Sequence, residues 1–274
     1  MKTKQITIND NRLKSTIETS SLVGKIPGDG LRRLALSNED KKMRDKFKNW
    51  VEESGLETRI DDFGNMYGRR KGKSDLSPIL IGSHLDTQPN GGRFDGVLGV
   101  LTALEVIRTL NDYKIQTERP IEIVNFTNEE GARFEPPLLG SGGLAGVFQK
   151  EYVYNRLDRD GKRFEDELER IGYKGSQSNR IKDIYAFIEL HIEQGPILEN
   201  EGISIGAVEG VKGMTWFELK VKGEGGHAGP TPMQLRKDAL MAATEMIVHI
   251  KEKAEKYGPD TSVTVGRISA KPDV

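Results

Sequence analysis

The sequence contains no cysteine, and this absence excludes several kinds of site at once. Without thiolates there can be no disulfide framework, no cysteine nucleophile, no iron–sulfur cluster and no cysteine-ligated zinc. The lack of cysteine also fits a reducing compartment. A metal site in this chain would have to use histidine and carboxylate side chains, and the chain has only 4 histidines.

An excess of one charge and long apolar runs are missing as well. The 41 Lys and Arg residues oppose 42 Asp and Glu residues, so the formal net charge is −1. This balance gives no electrostatic reason to expect nucleic acid or an anionic membrane as a partner. No apolar run approaches the roughly 18 residues that span a bilayer, and residues 1–10 lack the hydrophobic region of a signal peptide. We therefore expect a soluble, cytoplasmic protein.

The 274 residues suffice for one large or two ordinary domains, and hydrophobic patterning changes near residue 211. Before that point, short apolar segments alternate with helical ones, which predicts an α/β domain whose sheet has parallel members over residues 1–211. Residues 212–274 predict the beginning of a smaller α+β domain. The predicted elements are a largely helical stretch at 10–60, strands at 79–81, 121–126 and 185–190, a helix at 97–110, and a strand–helix–strand unit at 215–222, 236–257 and 261–268.

Histidines and carboxylates follow each of the three predicted strands of the first domain, where the strand ends. These residues are His84 after the first strand, Glu129-Glu130 after the second and His191 after the third. Sites in open α/β sheets form outside the carboxyl ends of strands, so these side chains and Asp95 in the glycine-rich loop 90–96 are expected to converge. Imidazoles and carboxylates suit Zn²⁺, Mn²⁺ or a similar ion, and a two-metal site would use them all.

Taken singly, each of these residues also has an ordinary structural interpretation. His84 could be a hydrogen-bonded loop histidine, and Asp95 could cap the helix that follows it. Asp86 is either a turn residue or a carboxylate that orients the His84 imidazole. His227 lies between glycines in the loop 225–230 and is either an incidental turn residue or a donor to a developing oxyanion.

Five motifs follow one another along the chain. They are Ser83-His84-Leu85-Asp86-Thr87, Asn90-Gly91-Gly92-Arg93-Phe94-Asp95-Gly96, Thr127-Asn128-Glu129-Glu130-Gly131-Ala132-Arg133-Phe134, Glu189-Leu190-His191-Ile192-Glu193-Gln194-Gly195 and His227-Ala228-Gly229-Pro230-Thr231-Pro232-Met233. In this order they resemble the amidase/carbamoylase branch of the M20 metallopeptidase family, which includes N-carbamoyl-L-amino-acid hydrolases, β-ureidopropionases and allantoate amidohydrolases. The resemblance implies a mixed-sheet catalytic domain with a dinuclear metal centre, flanked by helices and followed by a lid and dimerisation domain.

The resemblance also implies the ligands of two divalent ions, zinc or manganese, with cobalt and nickel as alternatives. Asp95 would bridge the two ions, His84 and His191 would complete the first site, and Glu130 would hold the second. The remaining implied roles concern the reaction: Glu129 as the general base, Asp86 orienting His84, Gln194 contacting the substrate, and His227 stabilising the tetrahedral intermediate from the neighbouring subunit of a homodimer.

The implied reaction is hydrolysis of linear amide or ureido C–N bonds, best fitted by N-carbamoyl-L-amino acids, with release of amino acid, ammonia and carbon dioxide. An M20 aminoacylase or dipeptidase is an alternative that His191 argues against, because those enzymes typically place a carboxylate there. A catalytically impaired relative is another. Family members continue past the equivalent of Val274 with the substrate-carboxylate residues and the last histidine ligand. We therefore expect this chain alone to bind at most one ion tightly and to show negligible turnover.

Overall fold

The computed structural model describes residues 6–258 and 260–272, within two compact units, Met1–Ser204 and Ile205–Val274. The division lies close to the boundary that hydrophobic patterning predicts near residue 211. The elements of the first unit are α1 (Asp10–Ser21), α2 (Asn38–Glu53), β1 (Glu57–Ile60), β2 (Met66–Arg70), β3 (Ile79–His84), α3 (Val97–Asp112), β4 (Ile121–Phe126), α4 (Leu139–Leu144), α5 (Lys150–Tyr154), α6 (Phe164–Arg170), β5 (Ala186–Ile188) and α7 (Ile197–Glu201).

The five strands of the first unit form one mixed sheet in the order β1-β2-β4-β3-β5. β3 pairs in parallel with β4 and with β5, whereas β2 pairs antiparallel with β1 and β4. The predicted mixed α/β architecture is confirmed. Because β3, β4 and β5 run in the same direction, their carboxyl ends meet at one edge of the sheet, with His84 opposite Phe126.

Helix α3 anchors this edge because its apolar side chains recur every three or four residues and face the sheet. Val100, Leu104 and Ile107 are fully buried in the main hydrophobic core of the unit. Burying a side chain of this size stabilises the fold by roughly 1.5–3 kcal/mol. The start of α3, and the loop before it, are therefore held firmly beside the end of β3.

Strands β1 and β2 are not predicted by the sequence, and the expectation of a largely helical stretch to residue 60 is wrong for Glu57–Ile60. Neither strand has the apolar alternation typical of a half-buried strand. Ion pairs with β4 hold them in the sheet instead. Arg59 and Arg69 each contact the buried Glu122 of β4, at 2.5 and 2.6 Å.

The second unit contains one long helix within its described residues, α8 (Ala239–Glu255). It begins later than predicted because the Asp238 side chain caps it, accepting from the backbone N–H groups of Leu240 and Met241. The strands expected at 215–222 and 261–268 are absent from the described part of this unit. Isolated strands need partners to be stable. Across residues 6–258 and 260–272, none of the helices has both the length and the apolar composition needed to cross a bilayer.

Candidate metal centre

Three of the predicted ligands lie together at the carboxyl edge of the sheet. His84 is the last residue of β3, Asp95 lies in the loop before α3, and His191 follows β5. One potential ligand atom from each side chain lies within 4.8 Å of those of the other two. The group combines two imidazole nitrogens with one carboxylate, which is a donor set typical of zinc and similar ions.

Both imidazoles present the same ring nitrogen to this group. Nδ1 of His84 lies 2.9 Å from the carbonyl oxygen of Asp86, and Nδ1 of His191 lies 2.9 Å from the carbonyl oxygen of Ile192. A carbonyl oxygen only accepts hydrogen bonds, so each Nδ1 donates and each neutral ring keeps Nε2 as the unprotonated nitrogen. Nε2 of His191 lies 3.3 Å from Oδ1 of Asp95.

Asp86 is fully buried and connects the ends of β3 and β4. Its carboxylate accepts from the backbone N–H groups of Glu129 and Glu130, at 3.2 and 3.3 Å. Burial raises the pKa of Asp86 to about 6, against the opposing positive charge of His84. The residue therefore accepts a hydrogen bond from His84 at its carbonyl oxygen, and its carboxylate lies 3.9 Å from the same ring nitrogen while holding the glutamate pair beside the histidine.

Glu129 reaches back towards His84, with Oε2 of the glutamate 3.3 Å from Nε2 of the histidine. Burial raises the pKa of Glu129, and the negative charges of Glu130 and Glu189 raise it further, against opposition from His84 and His191. Burial lowers the pKa of His84, but the charges of Asp86 and Glu129 outweigh it, so the net pKa of the imidazole is raised. A half-buried carboxylate with a raised pKa is a typical proton acceptor in catalysis.

Among the described residues, Glu130 is not part of the group formed by His84, Asp95 and His191. Its Oε2 accepts a 2.6 Å hydrogen bond from Nε2 of Gln88. Burial raises the pKa of Glu130, and so do the charges of Asp95 and Asp86, whereas Gln88 and His84 lower it.

Gln194 contacts Asp95 in this structure. Its Nε2 donates to Oδ2 of Asp95 at 2.7 Å, from a backbone with φ of 57°, which is unusual for a residue other than glycine. Asp95 itself does not cap α3, because the N-cap residue is Gly96. The capping interpretation of Asp95 is therefore wrong, whereas the contact of Gln194 with substrate stays a prediction.

His227 belongs to the second unit and is exposed there. Its Nδ1 accepts from the backbone N–H of Gly229 at 3.1 Å within the turn. This contact leaves the other ring nitrogen available as a donor, as an oxyanion-stabilising role requires.

The residues at the sheet edge fit a bound divalent cation. Oε1 of Glu130 is buried and has no hydrogen-bond partner among the described residues, which is costly for a carboxylate oxygen unless a cation contacts it. A Cβ atom on Gly96 would lie 2.3 Å from Nε2 of His84, so glycine keeps the space beside this nitrogen free of side-chain atoms. His84, Asp95 and His191 would hold one ion, whereas a second ion at Glu130 stays a prediction.

Two polar residues at this edge, Gln88 and Glu189, have no role predicted from the sequence. Gln88 contacts Glu130, and Glu189 contacts the hydroxyl of Ser83 and raises the pKa of Glu129. Glu189 begins the fourth motif, and Gln88 lies between the first and the second. Their position was visible in the sequence, but the partner of each side chain was not.

The family assignment follows from this fold and from sequence comparison. Residues 80–271 match the peptidase family M20/M25/M40, and the chain belongs to this family. Among curated relatives, the N-carbamoyl-L-amino-acid amidohydrolase of Rhizobium meliloti is 43% identical over 267 residues, covering 97% of this chain and 64% of that protein. The allantoate amidohydrolase of Escherichia coli is 36% identical over 264 residues, covering 95% of this chain and 64% of that protein.

A solved structure supports the same assignment. A hydantoinase/carbamoylase family amidase from Burkholderia vietnamiensis superposes with a TM-score of 0.91 at 40% identity, covering 99% of this chain and 66% of the other. The resemblance to the amidase/carbamoylase branch is confirmed. The chain thus spans slightly less than two thirds of the curated relatives described above.

Replacing His191 by alanine should weaken binding of the first divalent ion by at least about 100-fold. Loss of a residue that merely supports a ligand costs roughly 10–100-fold in affinity, and loss of a ligand should cost more. Calorimetric titration with Zn²⁺ would measure this change. His249→Ala, on the exposed surface of α8, is the matched control and should bind as the wild type does. Equal affinity of His191→Ala and wild type would remove His191 from the site.

Proposed function

We propose that this chain carries the chemistry of a metal-dependent hydrolase of linear ureido and amide C–N bonds. The observation that carries the proposal is the meeting of His84, Asp95 and His191 at the carboxyl edge of the sheet, with Glu129 beside them. Nitrogen and carboxylate ligands next to a half-buried carboxylate combine a cation site with a base, and hydrolysis of an unreactive carbonyl needs both.

Each residue at the edge has a task in such a reaction. A bound divalent ion supplies Lewis acidity to the carbonyl and acidity to a water molecule. Glu129 would take the proton from the attacking water and pass it to the leaving nitrogen, and its raised pKa suits it to this role. Asp86 keeps Glu129 in reach by accepting hydrogen bonds from the backbone N–H groups of Glu129 and Glu130, on both sides of the Glu129 Cα.

The substrate class that the relatives support is an N-carbamoyl-L-amino acid or a related ureido acid such as allantoate. The relatives carry these two activities in their names, at 43% and 36% identity. With an N-carbamoyl amino acid, hydrolysis would release the amino acid, ammonia and carbon dioxide. We place this reaction in the cytoplasm, for which the absence of cysteine is the supporting observation.

The test of this function uses a chimeric protein, called the completed chimera. It joins this chain to the segment of the Rhizobium meliloti relative that has no counterpart in this chain. Ammonia release is measured with N-carbamoyl amino acids, allantoate and dipeptides, with and without added Zn²⁺ or Mn²⁺. Metal-dependent ammonia release from the first two substrates supports the proposal. Cleavage of dipeptides alone would favour a peptidase instead, and turnover that survives complete metal removal would contradict metal dependence.

His227 and the homodimer belong to the same proposal. If His227 donates to the oxyanion across a dimer, mixing inactive His227→Ala subunits with inactive Glu129→Gln subunits of the completed chimera should restore part of the activity. Random exchange places one intact site in each hybrid dimer, so recovery of about a quarter of the wild-type rate is expected from half of the dimers being hybrid. Proven subunit exchange without recovery would exclude the role across the dimer.

A further inference from the structure

We propose that Gln88 is a positioning residue which fixes the Glu130 carboxylate so that Oε1, and not Oε2, is the oxygen offered to a divalent ion. This inference rests on the proposed metal site. It concerns a residue for which neither the sequence motifs nor the family assignment gave a role.

The two oxygens of Glu130 differ in their hydrogen bonding. Oε2 accepts a 2.6 Å bond from the Gln88 amide, which is short and charge-assisted. Oε1 is buried and has no hydrogen-bond partner within residues 6–258 and 260–272. A carboxylate whose one oxygen is already satisfied can rotate little about its last torsion angle. The amide thus settles which oxygen remains free to contact a cation.

The backbone that carries Gln88 is itself fixed. The hydroxyl of the buried Thr87 donates to the carbonyl oxygen of Gln88 at 2.9 Å and accepts from the backbone N–H of Arg33 at 2.9 Å. The backbone N–H of Thr87 donates in turn to the carbonyl oxygen of Arg33 at 2.9 Å. Arg33 is fully buried and also binds the carbonyl oxygen of Leu85. The Gln88 amide therefore extends from a tethered loop, although the side chain is exposed.

The other implied carboxylate ligand has the same arrangement. Gln194 donates to Oδ2 of Asp95 at 2.7 Å, while Oδ1 of Asp95 faces Nε2 of His191 at 3.3 Å. In both pairs a glutamine amide satisfies one carboxylate oxygen and leaves the other directed elsewhere. Ligand carboxylates in metal sites are commonly held by such neighbouring hydrogen bonds, and loss of one costs roughly 10–100-fold in affinity.

The experiment is a Mn²⁺ titration of the completed chimera, because the 274-residue chain alone is expected to bind at most one ion tightly, with free Mn²⁺ followed by electron paramagnetic resonance. The Glu130-dependent ion is the Mn²⁺ ion whose binding is lost or weakened in the Glu130→Gln variant. Gln88→Met keeps the length of the side chain without its amide. It should lower the affinity for this ion by about 10–100-fold. Gln88→Asn should do the same, because its amide is one methylene too short to reach. Gln177→Met, at an exposed glutamine of a 3-10 turn, is the matched control and should bind as wild type.

A double-mutant cycle separates positioning from a general structural effect. In the Glu130→Gln background, Gln88→Met should change neither Mn²⁺ binding nor the thermal unfolding midpoint, since the carboxylate it positions is gone. Wild-type binding by Gln88→Met, or an equal loss in both backgrounds, would overturn the inference while leaving the proposed hydrolase intact. A titration that Glu130→Gln does not change would overturn both the inference and the role of Glu130 as a ligand.

Discussion

Glu129→Gln in the completed chimera should lower kcat by about 10²–10⁴-fold, the range that a positioned general base contributes. The amide has nearly the shape of the carboxylate but cannot take a proton from water. Glu129 lies outside the group formed by His84, Asp95 and His191, so the first ion should be retained. Elemental analysis of the purified variant, alongside initial rates of ammonia release, would measure both effects.

The matched control for this variant is Glu135→Gln, an exposed glutamate further along the same loop. It removes the same charge at a distance from the predicted base and should keep the wild-type kcat. Near wild-type turnover by Glu129→Gln would show that another group accepts the proton. Loss of the metal together with the activity would instead make Glu129 a ligand.

Gly96→Ala should destabilise the first unit and remove its ion binding. Gly96 has φ of 64°, and a Cβ there would lie 2.3 Å from Nε2 of His84, whose ring is buried and has little room to move. An alanine in this sparsely populated positive-φ conformation costs about 1–3 kcal/mol, and forcing an extra carbon into a packed site typically costs about 1–3 kcal/mol more. We expect the free energy of unfolding to fall by roughly 2–6 kcal/mol, and affinity for Zn²⁺ by more than about 100-fold.

Urea unfolding and calorimetric titration would measure these two losses. Gly92→Ala is the control from the same loop, because a Cβ on Gly92 meets no heavy atom within 4 Å. That variant should keep the stability and the Zn²⁺ affinity of wild type. A Gly96→Ala protein that binds Zn²⁺ normally would show that the space beside His84 is not part of the ion site.

The predicted strand at 121–126 is observed as β4 with the same bounds, because its apolar residues stop at the polar run that follows. β1 and β2 were not predicted, because the spacing of apolar residues does not reveal the contacts that support them. These contacts are the ion pairs of Arg59 and Arg69 with the buried Glu122. Local patterning detects burial along one segment, but it does not detect a charge that another segment supplies.

Which residues gather at the site followed from topology, since His84 ends β3 and His191 follows β5, its parallel neighbour in the sheet. What each side chain contacts did not follow. The carboxylate of Asp86 lies 3.9 Å from Nδ1 of His84 and also holds the backbone of Glu129 and Glu130, while the hydrogen bond from the ring goes to the Asp86 carbonyl oxygen. Such choices depend on ångström-scale placement of loops, which the residue types alone leave open.

The position of His84, Asp95 and His191 at the ends of different elements has a thermodynamic consequence for the chain as a whole. In the unfolded chain these residues are separated by long flexible segments, so a cation that needs all three binds the folded form almost exclusively. By linkage, an ion at 100 times its dissociation constant adds about 2.7 kcal/mol to the free energy of unfolding. The ion concentration around this protein would therefore set its lifetime against unfolding and proteolysis, as well as the occupancy of its site.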